Sequence, residues 1–532
     1  MGIPSYFSYI VKNHPNIIKK ITSHNIEVNN LYLDCNSIIY DAVHNIDFTN
    51  LSESDAVVII RAVCNKISEY INLIKPDNNI YIAFDGVAPV AKLEQQRSRR
   101  YKSLFQNNIS KSIFQNTKPD SWNTNVITPG TLFMQKLNEK IKIHFNNPSD
   151  FNVINIILST SDKFGEGEHK LFQYIRDFPD QHIDKNTVIY GLDADLIMLS
   201  INHLPISNNI YLFRETPEFI KSINSDLEPN ESYVLDIPEL AKIITLDMNN
   251  GETLTTEQQK NRIYDYIFLC FFLGNDFLPH FPAVNIRTGG IDKMLNAYKA
   301  TIGGTSENLT NGVKIFWKNV RKLVQHLADN EEQYFKNEAK LRDRREKNAM
   351  PDITPEDKLK KFDSLPSYDR EMEKYINPFK PNWQNRYYKV LFDLYPDDVR
   401  KKQISTNFLE GLEWTMKYYT LGCPDWRWCY NYNYPPLLCD LIHYIPYFDT
   451  EFIEYKKPAP VTELVQLCYV LPKQNLHFLP ENIYNNILKK HSDWYKSDCK
   501  FIWAYCRYFW ESHVELPKID INELEKFIEN NQ

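Results

Sequence analysis

The chain has 532 residues, of which 43% are hydrophobic and 24% are charged. This length is too great for a single core, and this composition excludes a wholly disordered protein. The formal net charge of −7 argues against a generally basic nucleic-acid coat protein, so a phosphate-bearing partner would have to meet a local basic patch.

Nine cysteines are scattered along the chain without a Cys-x-x-Cys pair. That pattern argues against a zinc cluster or a disulfide framework and favours reduced thiols in the cytoplasm, with the nucleus as the alternative. No apolar stretch is long enough to span a bilayer and the N-terminus lacks a signal-peptide pattern, so we expect no membrane association.

Apolar runs rich in β-branched and aromatic residues predict a series of strands in the first part of the chain. Helix-favouring segments separate them, for example over 54–75 and beyond Pro89, whereas residues 103–125 are polar and are predicted to form a loop. Strands that alternate with helices predict an α/β fold with a mostly parallel sheet. The predicted strands end at Asp34, Asp85, Leu158, Tyr190 and Phe213.

Acidic residues recur at the ends of these predicted strands. In open α/β sheets, ligands bind outside the carboxyl ends of the strands. Six acidic residues lie at or just after a predicted strand end, and a seventh follows a predicted helix over 263–273. We therefore expect all seven to converge on one rim of the sheet. They are Asp34, Asp85, Glu166, Glu168, Asp193, Asp195 and Asp276.

Each of these carboxylates, taken alone, has an ordinary structural explanation. Asp34 could cap a helix, Glu166 could favour a helix N-terminus, and Asp276 could belong to a turn. Seven packed carboxylates, however, repel one another unless cations neutralise them. Their oxygens suit Mg²⁺ or Mn²⁺, and two such ions about 3.5–4 Å apart would activate water and stabilise the leaving oxygen in phosphodiester cleavage.

The helix predicted after Asp85 carries a cluster of polar and basic residues. Lys92, Gln96, Arg99 and Arg100 follow the spacing i, i+4, i+7 and i+8, which places them on one face of a helix. One hypothesis is that this face binds a phosphate beside a metal held by Asp85. The other hypothesis is that it is a solvated basic helix face. The residues of this segment alone do not decide between the two hypotheses.

Long motifs in a fixed order connect the chain to a known family. The first part contains MGIPSYFSYI, LYLDCNSIIY, FDGVAPVAKLEQQRSRR, ITPGTLFM, GEGEHK, YGLDADLIML and FLGNDFLPH, and the second part contains NRYYKVLF, FLEGLEWTMKYYTLGCPDWRW, LCYVLPKQNLHFLP and WESHVELPKID. In this order the motifs resemble those of the XRN family of 5′→3′ exoribonucleases, in a compact form without the long C-terminal extension of the large cytoplasmic members. The resemblance covers nearly the whole chain apart from its charged middle.

The resemblance implies a PIN-like, flap-nuclease-type α/β core with a two-metal site. Carried over position by position, the seven carboxylates named above would be the catalytic metal ligands, for Mg²⁺ or Mn²⁺. The 5′-monophosphate pocket would consist of Lys92, Gln96, Arg99 and Arg100. Members of this family degrade 5′-monophosphorylated RNA processively to mononucleotides and exclude capped or triphosphorylated ends.

Three aromatic residues are expected to stack on bases. The family usually has His where this chain has Tyr40, and a tyrosine ring can still stack on a base, although it cannot carry an imidazolium charge. Trp426 and Trp428 match the tryptophan pair of the family's second region. One of the two is expected to close the stack, and the other could equally be a core residue.

The sequence predicts three regions. Residues 1–325 form the nuclease domain, and residues 379–532 form a mainly helical conserved region that packs over the active site. Residues 326–378 are charged and helix-prone, and we expect a charged helical connector whose helix faces solvent. We further expect a monomer.

Two other functions remain open on the sequence alone. A structure-specific 5′ DNA flap nuclease could use the same metal site, but it would prefer branched DNA and would not need a 5′-monophosphate. A catalytically silent RNA-binding scaffold is the other alternative, although the presence of all seven carboxylates counts against it.

Overall fold

The computed structural model describes residues 3, 5–21, 27–48, 54–115, 122–348, 350–395, 397–496 and 499–531. In these residues seven strands form one sheet: β1 (Ile18–Lys20), β2 (Asn30–Asp34), β3 (Asn79–Ala83), β4 (Asn155–Ser159), β5 (Asn186–Tyr190), β6 (Asn209–Glu215) and β7 (Ser232–Asp236). Their order across the sheet is β1-β7-β6-β5-β2-β3-β4. The strands from β2 to β6 run parallel, and β7 and β1 add an antiparallel edge.

The register of the parallel strands brings their carboxyl ends to one edge. Asp34 pairs with Ala83, Ala83 pairs with Ser159, and Leu33 pairs with Tyr190. Four adjacent strands therefore end at the same level, and the segments that follow them start side by side. This edge is where an α/β sheet binds its ligands.

The α-helices surround the sheet and continue into a helical second part. A short antiparallel hairpin, β8 (Lys500–Ile502) with β9 (His513–Glu515), lies near the end of the chain. The helices are α1 (Tyr6–Asn13), α2 (Asn36–Asn45), α3 (Asp55–Ile74), α4 (Val90–Ile113), α5 (Leu132–His144), α6 (Gly167–Asp177), α7 (Asp195–His203), α8 (Ile237–Met248), α9 (Thr256–Phe271), α10 (Gly290–Thr301), α11 (Trp317–Glu346), α12 (Pro355–Asp363), α13 (Glu371–Ile376), α14 (Trp383–Phe392), α15 (Asp398–Thr420), α16 (Leu438–Leu441), α17 (Glu463–Val470), α18 (Glu481–Lys490) and α19 (Ile521–Glu529).

Both faces of the sheet are covered, which explains why its strands are nearly continuous apolar runs. On one face, Leu31 and Leu33 of β2 share an apolar cluster with α3 and α5. On the other face, Tyr32 shares a larger cluster with α6, α7 and α9, and this cluster extends to Phe408 and Trp414 of α15. The sheet and the helical second part therefore have a common core.

The predicted fold class is confirmed: a mostly parallel sheet is flanked by helices, and a mainly helical region packs on it. The loop predicted over 103–125 is wrong in its first half, because α4 continues to Ile113; residues 116–121 lie outside the described residues. The polar helix continues because Phe105 packs against Phe362, Phe501 and Phe509, which come from distant parts of the chain.

The predicted connector is largely helical, but its first helix does not lie free in solvent. Helix α11 begins at Trp317 and runs without a break through the predicted boundary at 325–326. One of its faces is buried, including Glu331, Phe335, Glu338 and Arg342. The division into three domains stays a prediction.

All nine cysteines lie within the described residues, and each is a free thiol. In the same part of the chain, no helix has both the length and the apolar character that a bilayer crossing requires.

Candidate active site

The seven acidic residues lie where the parallel strands end. Asp34 is the last residue of β2, and Asp85 comes two residues after β3. Glu166 and Glu168 stand at the start of α6, which follows β4. Asp195 begins α7 after β5, with Asp193 just before it, and Asp276 follows α9. Asp193 is the exposed member of the set, whereas the other six are buried or half-buried.

Direct contacts join the loops that carry these acids. The Gly167 amide donates to Asp85 Oδ1 at 2.6 Å. A Cβ atom placed on Gly167 would lie 2.5 Å from Asp34 Oδ1 and 3.4 Å from Asp85 Oδ1. Only a glycine between Glu166 and Glu168 therefore lets the start of α6 approach the carboxylates of β2 and β3 this closely.

Lys92 of α4 lies among the acids. Its Nζ is 2.5 Å from Glu166 Oε2 and 2.7 Å from Asp276 Oδ2. Burial would lower the pKa of Lys92, but Asp276, Glu166 and Glu168 outweigh that effect and raise it. Burial would likewise raise the pKa of Asp276, yet Lys92 holds it below its usual range. Lys92 thus stays charged and neutralises part of the cluster.

Three other acids of the cluster have pKa values that are raised, even though the charge of Lys92 opposes the shift. Burial, with Asp85 and Asp193, raises the pKa of Asp34 well above its usual range. Burial also raises the pKa of Glu168, and it raises that of Asp195 to about 7 with a further contribution from Asp276. Within the described residues, Asp34 Oδ1, Glu168 Oε2 and Asp195 Oδ1 are buried without a hydrogen-bond partner.

These unsatisfied oxygens fit a hard divalent cation. An unpaired buried acceptor costs about 1–3 kcal/mol, and a bound cation would satisfy several at once. The ligand set contains oxygen only, which suits Mg²⁺ or Mn²⁺ rather than a thiolate-seeking metal. In the described part of the chain, no three acidic, His or Cys side chains already adopt the arrangement of a coordination shell.

The residues of the predicted basic face lie on one continuous helix, α4, which begins beside the acids. Lys92 lies within the acidic cluster, and Gln96 Oε1, one turn further along, is buried without a hydrogen-bond partner among the described residues. Arg100 donates to Thr128 Oγ1 at 2.7 Å and to Asn125 Oδ1 at 3.3 Å. Arg99 has an exposed side chain.

The three aromatic residues expected to stack on bases lie in different surroundings. Tyr40 is half-buried on α2. Burial lowers the pKa of Arg100 to about 10, although Tyr40 opposes this effect. Burial would also lower the pKa of Arg99, but Tyr40 and nearby acids outweigh it and raise that pKa. Trp428 stacks on Trp414 at 5.2 Å. Trp426 instead packs edge-on against Phe164, with ring centroids 5.2 Å apart. Both tryptophans are largely buried, and stacking on a base stays a prediction for all three residues.

Two family models match the chain. One, the XRN 5′-3′ exonuclease N-terminus, matches residues 1–216, and the other, the Xrn1 helical domain, matches residues 257–374 and 352–531. The chain belongs to the XRN 5′-3′ exonuclease family. The two matches cover the sheet with its acidic edge and the helical second part, respectively.

Curated relatives extend the match along almost the whole chain. The 5′-3′ exoribonuclease 2 homolog of Drosophila melanogaster is 27% identical, over 99% of this chain and 70% of that protein. The 5′-3′ exoribonuclease 1 of Schizosaccharomyces pombe is 26% identical, over 98% of this chain and 48% of that protein, and the one of Saccharomyces cerevisiae is 27% identical, over 90% and 40%. The XRN chain described here thus spans from less than half to about two thirds of the length of these relatives.

Solved structures give only a distant likeness. The catalytic core of Rad2 in complex with DNA substrate aligns with a TM-score of 0.32 and 16% identity, over 69% of this chain and 85% of that chain. A second complex of the same core aligns with a TM-score of 0.31 and 14% identity, over 80% of this chain and 96% of that one.

Several residues of the XRN site were not predicted from the sequence. Tyr418 donates its hydroxyl to Glu166 Oε1 at 2.7 Å, and its ring stacks on His169 at 3.7 Å. Asn36 Nδ2 donates to Asp85 Oδ2 at 2.6 Å, and Asn36 Oδ1 accepts from the Asp85 amide at 3.0 Å. Asn36 could have been suspected because it comes two residues after Asp34, but nothing in the local pattern around Tyr418 points to an acid more than two hundred residues away.

Proposed function

We propose that this chain is a 5′→3′ exoribonuclease that depends on divalent metal ions and removes mononucleotides processively from 5′-monophosphorylated RNA. The observation that carries this proposal is the position of α4. This one helix begins among the seven acids with Lys92 and continues outward with Gln96, Arg99 and Arg100 on the same face. The names of the relatives, all 5′-3′ exoribonucleases, support RNA as the substrate.

The acidic residues are suited to hold the metal ions. Asp34, Glu168 and Asp195 offer buried oxygens without a hydrogen-bond partner in the described residues, and Asp193 is exposed to solvent. Bound Mg²⁺ or Mn²⁺ would supply an activated water and stabilise the charge on the leaving oxygen. Tyr418 and Asn36 orient Glu166 and Asp85 by their hydrogen bonds.

The basic residues are suited to hold the 5′ end at a fixed distance from the acids. Arg99 and Arg100 come seven and eight residues after Lys92, which is about 10–12 Å along a helix axis. A terminal phosphoryl group bound by their guanidinium groups keeps the chain in register. Because the separation is set by a rigid helix, each cleavage releases a product of constant length, and the new 5′-phosphate re-enters the same position. This geometry favours removal of one nucleotide per step and processive movement.

The decisive experiment compares RNAs of one sequence that carry a 5′-monophosphate, a 5′-hydroxyl or a 5′-triphosphate, with Mg²⁺ and with EDTA. We expect fast release of mononucleotides from the monophosphate alone, and no cleavage in EDTA. The double variant Asp193→Asn with Asp195→Asn should lower the rate about 10²-fold or more while it still binds RNA. Asp247→Asn serves as the control, because Asp247 is an exposed partner of Lys299 away from the strand ends.

Three outcomes would contradict the proposal. Equal rates on all three 5′ ends would remove the phosphate assignment to α4. Undiminished cleavage by the double variant would remove the metal assignment. Faster cleavage of a branched DNA than of single-stranded RNA would favour a flap nuclease instead.

A further inference from the structure

Two arginines from distant parts of the chain are brought together beside the ring of Tyr508. Arg342 of α11 donates to Cys506 O at 2.8 Å and so joins α11 to the segment between β8 and β9. Arg345 comes three residues later on the same face of α11, and Arg507 directly follows Cys506. Arg345 and Arg507 are both half-buried rather than fully buried, so a ligand from solvent can reach them.

Neither of these two guanidinium groups pairs with an acid among the described residues. The Arg507 side chain donates from Nη1 to Ser367 Oγ at 3.3 Å. In the same part of the chain, the Arg345 side chain makes neither a hydrogen bond nor an ion pair. Glu511, the acid of this segment, already pairs with Arg287 and accepts a hydrogen bond from the Arg507 amide at 2.7 Å. Two positive charges are therefore held close together, and no described acid lies in contact with either guanidinium.

This arrangement disfavours the charge that Arg345 carries. Burial lowers the pKa of Arg345, and the neighbouring charge of Arg507 lowers it further, while Glu338 acts in the opposite direction. Packed charges of one sign repel each other unless an ion of opposite sign lies between them. An anion in contact with both guanidinium groups would remove this repulsion.

The Tyr508 ring holds one of the two guanidinium groups in place. Arg507 Cζ lies 5.4 Å from the centroid of this ring, and Trp510 stacks on the ring with centroids 4.3 Å apart. The segment is also fixed to α4, because Lys102 Nζ donates to Trp510 O and to Ser512 O, each at 2.9 Å. A side chain that is already ordered loses less conformational entropy when it binds a ligand.

These features select a phosphate group as the ligand. A guanidinium presents parallel N–H donors that match the oxygens of a phosphate, and such hydrogen bonds are charge-assisted. A chloride ion would cancel part of the charge but could not use these paired donors. We propose that Arg345 and Arg507 bind a phosphate group at a second site, distinct from the one proposed on α4. The phosphate belongs either to the backbone of an RNA strand or to a free phosphate compound, and only the choice of RNA rests on the proposed function.

The test measures binding of a long 5′-hydroxyl oligouridylate to the full chain in EDTA, by fluorescence anisotropy over a series of salt concentrations. Loss of one charge-assisted contact in Arg345→Gln should weaken binding about tenfold, and it should lower the slope of log K against log salt by about 0.7. Arg507→Gln should reproduce both effects. Arg344→Gln is the matched control, because it removes the same charge from the neighbouring, exposed position of α11; its affinity should change less than about twofold.

A second measurement uses inorganic phosphate and identifies the source of the ligand. Sodium phosphate, compared with sodium chloride of equal ionic strength, should raise the unfolding temperature of the unaltered chain more than that of Arg345→Gln. Weaker RNA binding by Arg345→Gln assigns the site to the backbone of a strand, whereas loss of the phosphate effect alone assigns it to a free phosphate compound.

The inference would be overturned by an Arg345→Gln variant that behaves as Arg344→Gln does in both measurements. Equal losses of RNA affinity in these two variants would mean that the general charge of α11, and not a site, attracts the strand. The oligonucleotide has no 5′-phosphate and no metal is present, so failure of the proposed nuclease activity, or of the phosphate assignment to α4, would leave this result intact.

Discussion

Gly167 determines how closely the acidic residues can approach one another. Its missing side chain leaves room for Asp34 Oδ1, which would otherwise lie 2.5 Å from a Cβ atom. Its amide also binds Asp85. The Glu-Gly-Glu sequence therefore has a packing role in addition to the proposed metal-binding role of its glutamates. The two glutamates reach the strand ends only because the residue between them is small.

Gly167→Ala should destabilise the protein by about 1–3 kcal/mol, the usual cost of overpacking. Denaturant unfolding measures this loss. In an Asp34→Ala background the same substitution should cost less than about 0.5 kcal/mol, because the atom that clashes is gone. If Gly167→Ala lowered the free energy of unfolding equally in the two backgrounds, Asp34 would not be the group that limits the space around residue 167.

Lys92 makes contacts that its helical spacing does not report. The sequence assigns it to the phosphate pocket with Gln96, Arg99 and Arg100, and that role stays a prediction. In the structure its ammonium group contacts Glu166 and Asp276. A lysine at the first turn of α4 can reach the acids because the helix starts directly beside the strand ends, and helical spacing alone does not report that distance.

At the scale of secondary-structure elements, α11 shows how a charged helix can be buried. Arg342 Nε donates to Glu373 Oε2 at 2.8 Å and Nη2 donates to Glu373 Oε1 at 2.7 Å. The same guanidinium donates to Pro366 O at 3.0 Å and to Cys506 O at 2.8 Å. One arginine thus joins α11 to α13 and to the segment between β8 and β9, and every charge involved has a partner.

Arg342→Ala should lower the free energy of unfolding by about 3–5 kcal/mol, because it leaves the Glu373 carboxylate buried without this partner. Arg344→Ala is the matched control: it removes the same side chain two residues away, at an exposed position of the same helix. The control should change stability by less than about 0.5 kcal/mol. Urea unfolding of both variants measures these changes. Similar losses of unfolding free energy in the two variants would mean that the Arg342 contacts contribute little to stability.

At the scale of the whole molecule, one large apolar cluster joins the sheet to the helical second part. Phe277 meets Trp414 with ring centroids 4.9 Å apart, and Phe281 meets Phe408 at the same distance. Both phenylalanines follow α9, and both partners belong to α15. The aromatic residues that the sequence assigns to different regions are thus packed together.

A fragment that ends at residue 325 should therefore fail to fold cooperatively. The cut severs α11 and exposes aromatic side chains that pack on α15 in the full chain, which leaves an apolar surface prone to aggregation. Thermal unfolding followed by circular dichroism should show a sharp transition for the full chain and a broad or absent one for the fragment. A sharp transition of the fragment would support an independent domain over 1–325.

Local sequence patterns were enough to predict the α/β class, the parallel strands and the acidic positions at their ends. These features depend on local patterns, such as the apolar run that stops at Asp34 or the Glu-Gly-Glu sequence at the start of α6, and local patterns are visible in one chain. The antiparallel edge made by β1 and β7 was not predicted, because a strand as short as Ile18–Lys20 has too few residues to show a period.

The contacts between distant groups, in contrast, became visible only in the folded chain. Tertiary packing placed Lys92 between Glu166 and Asp276, brought Tyr418 to Glu166, and extended α4 through the contacts of Phe105. It also gave Trp426 and Trp428, which are two residues apart, different ring partners. Contacts of this kind depend on how whole elements pack, and the free energy that selects one packing arises from residues far apart in the chain.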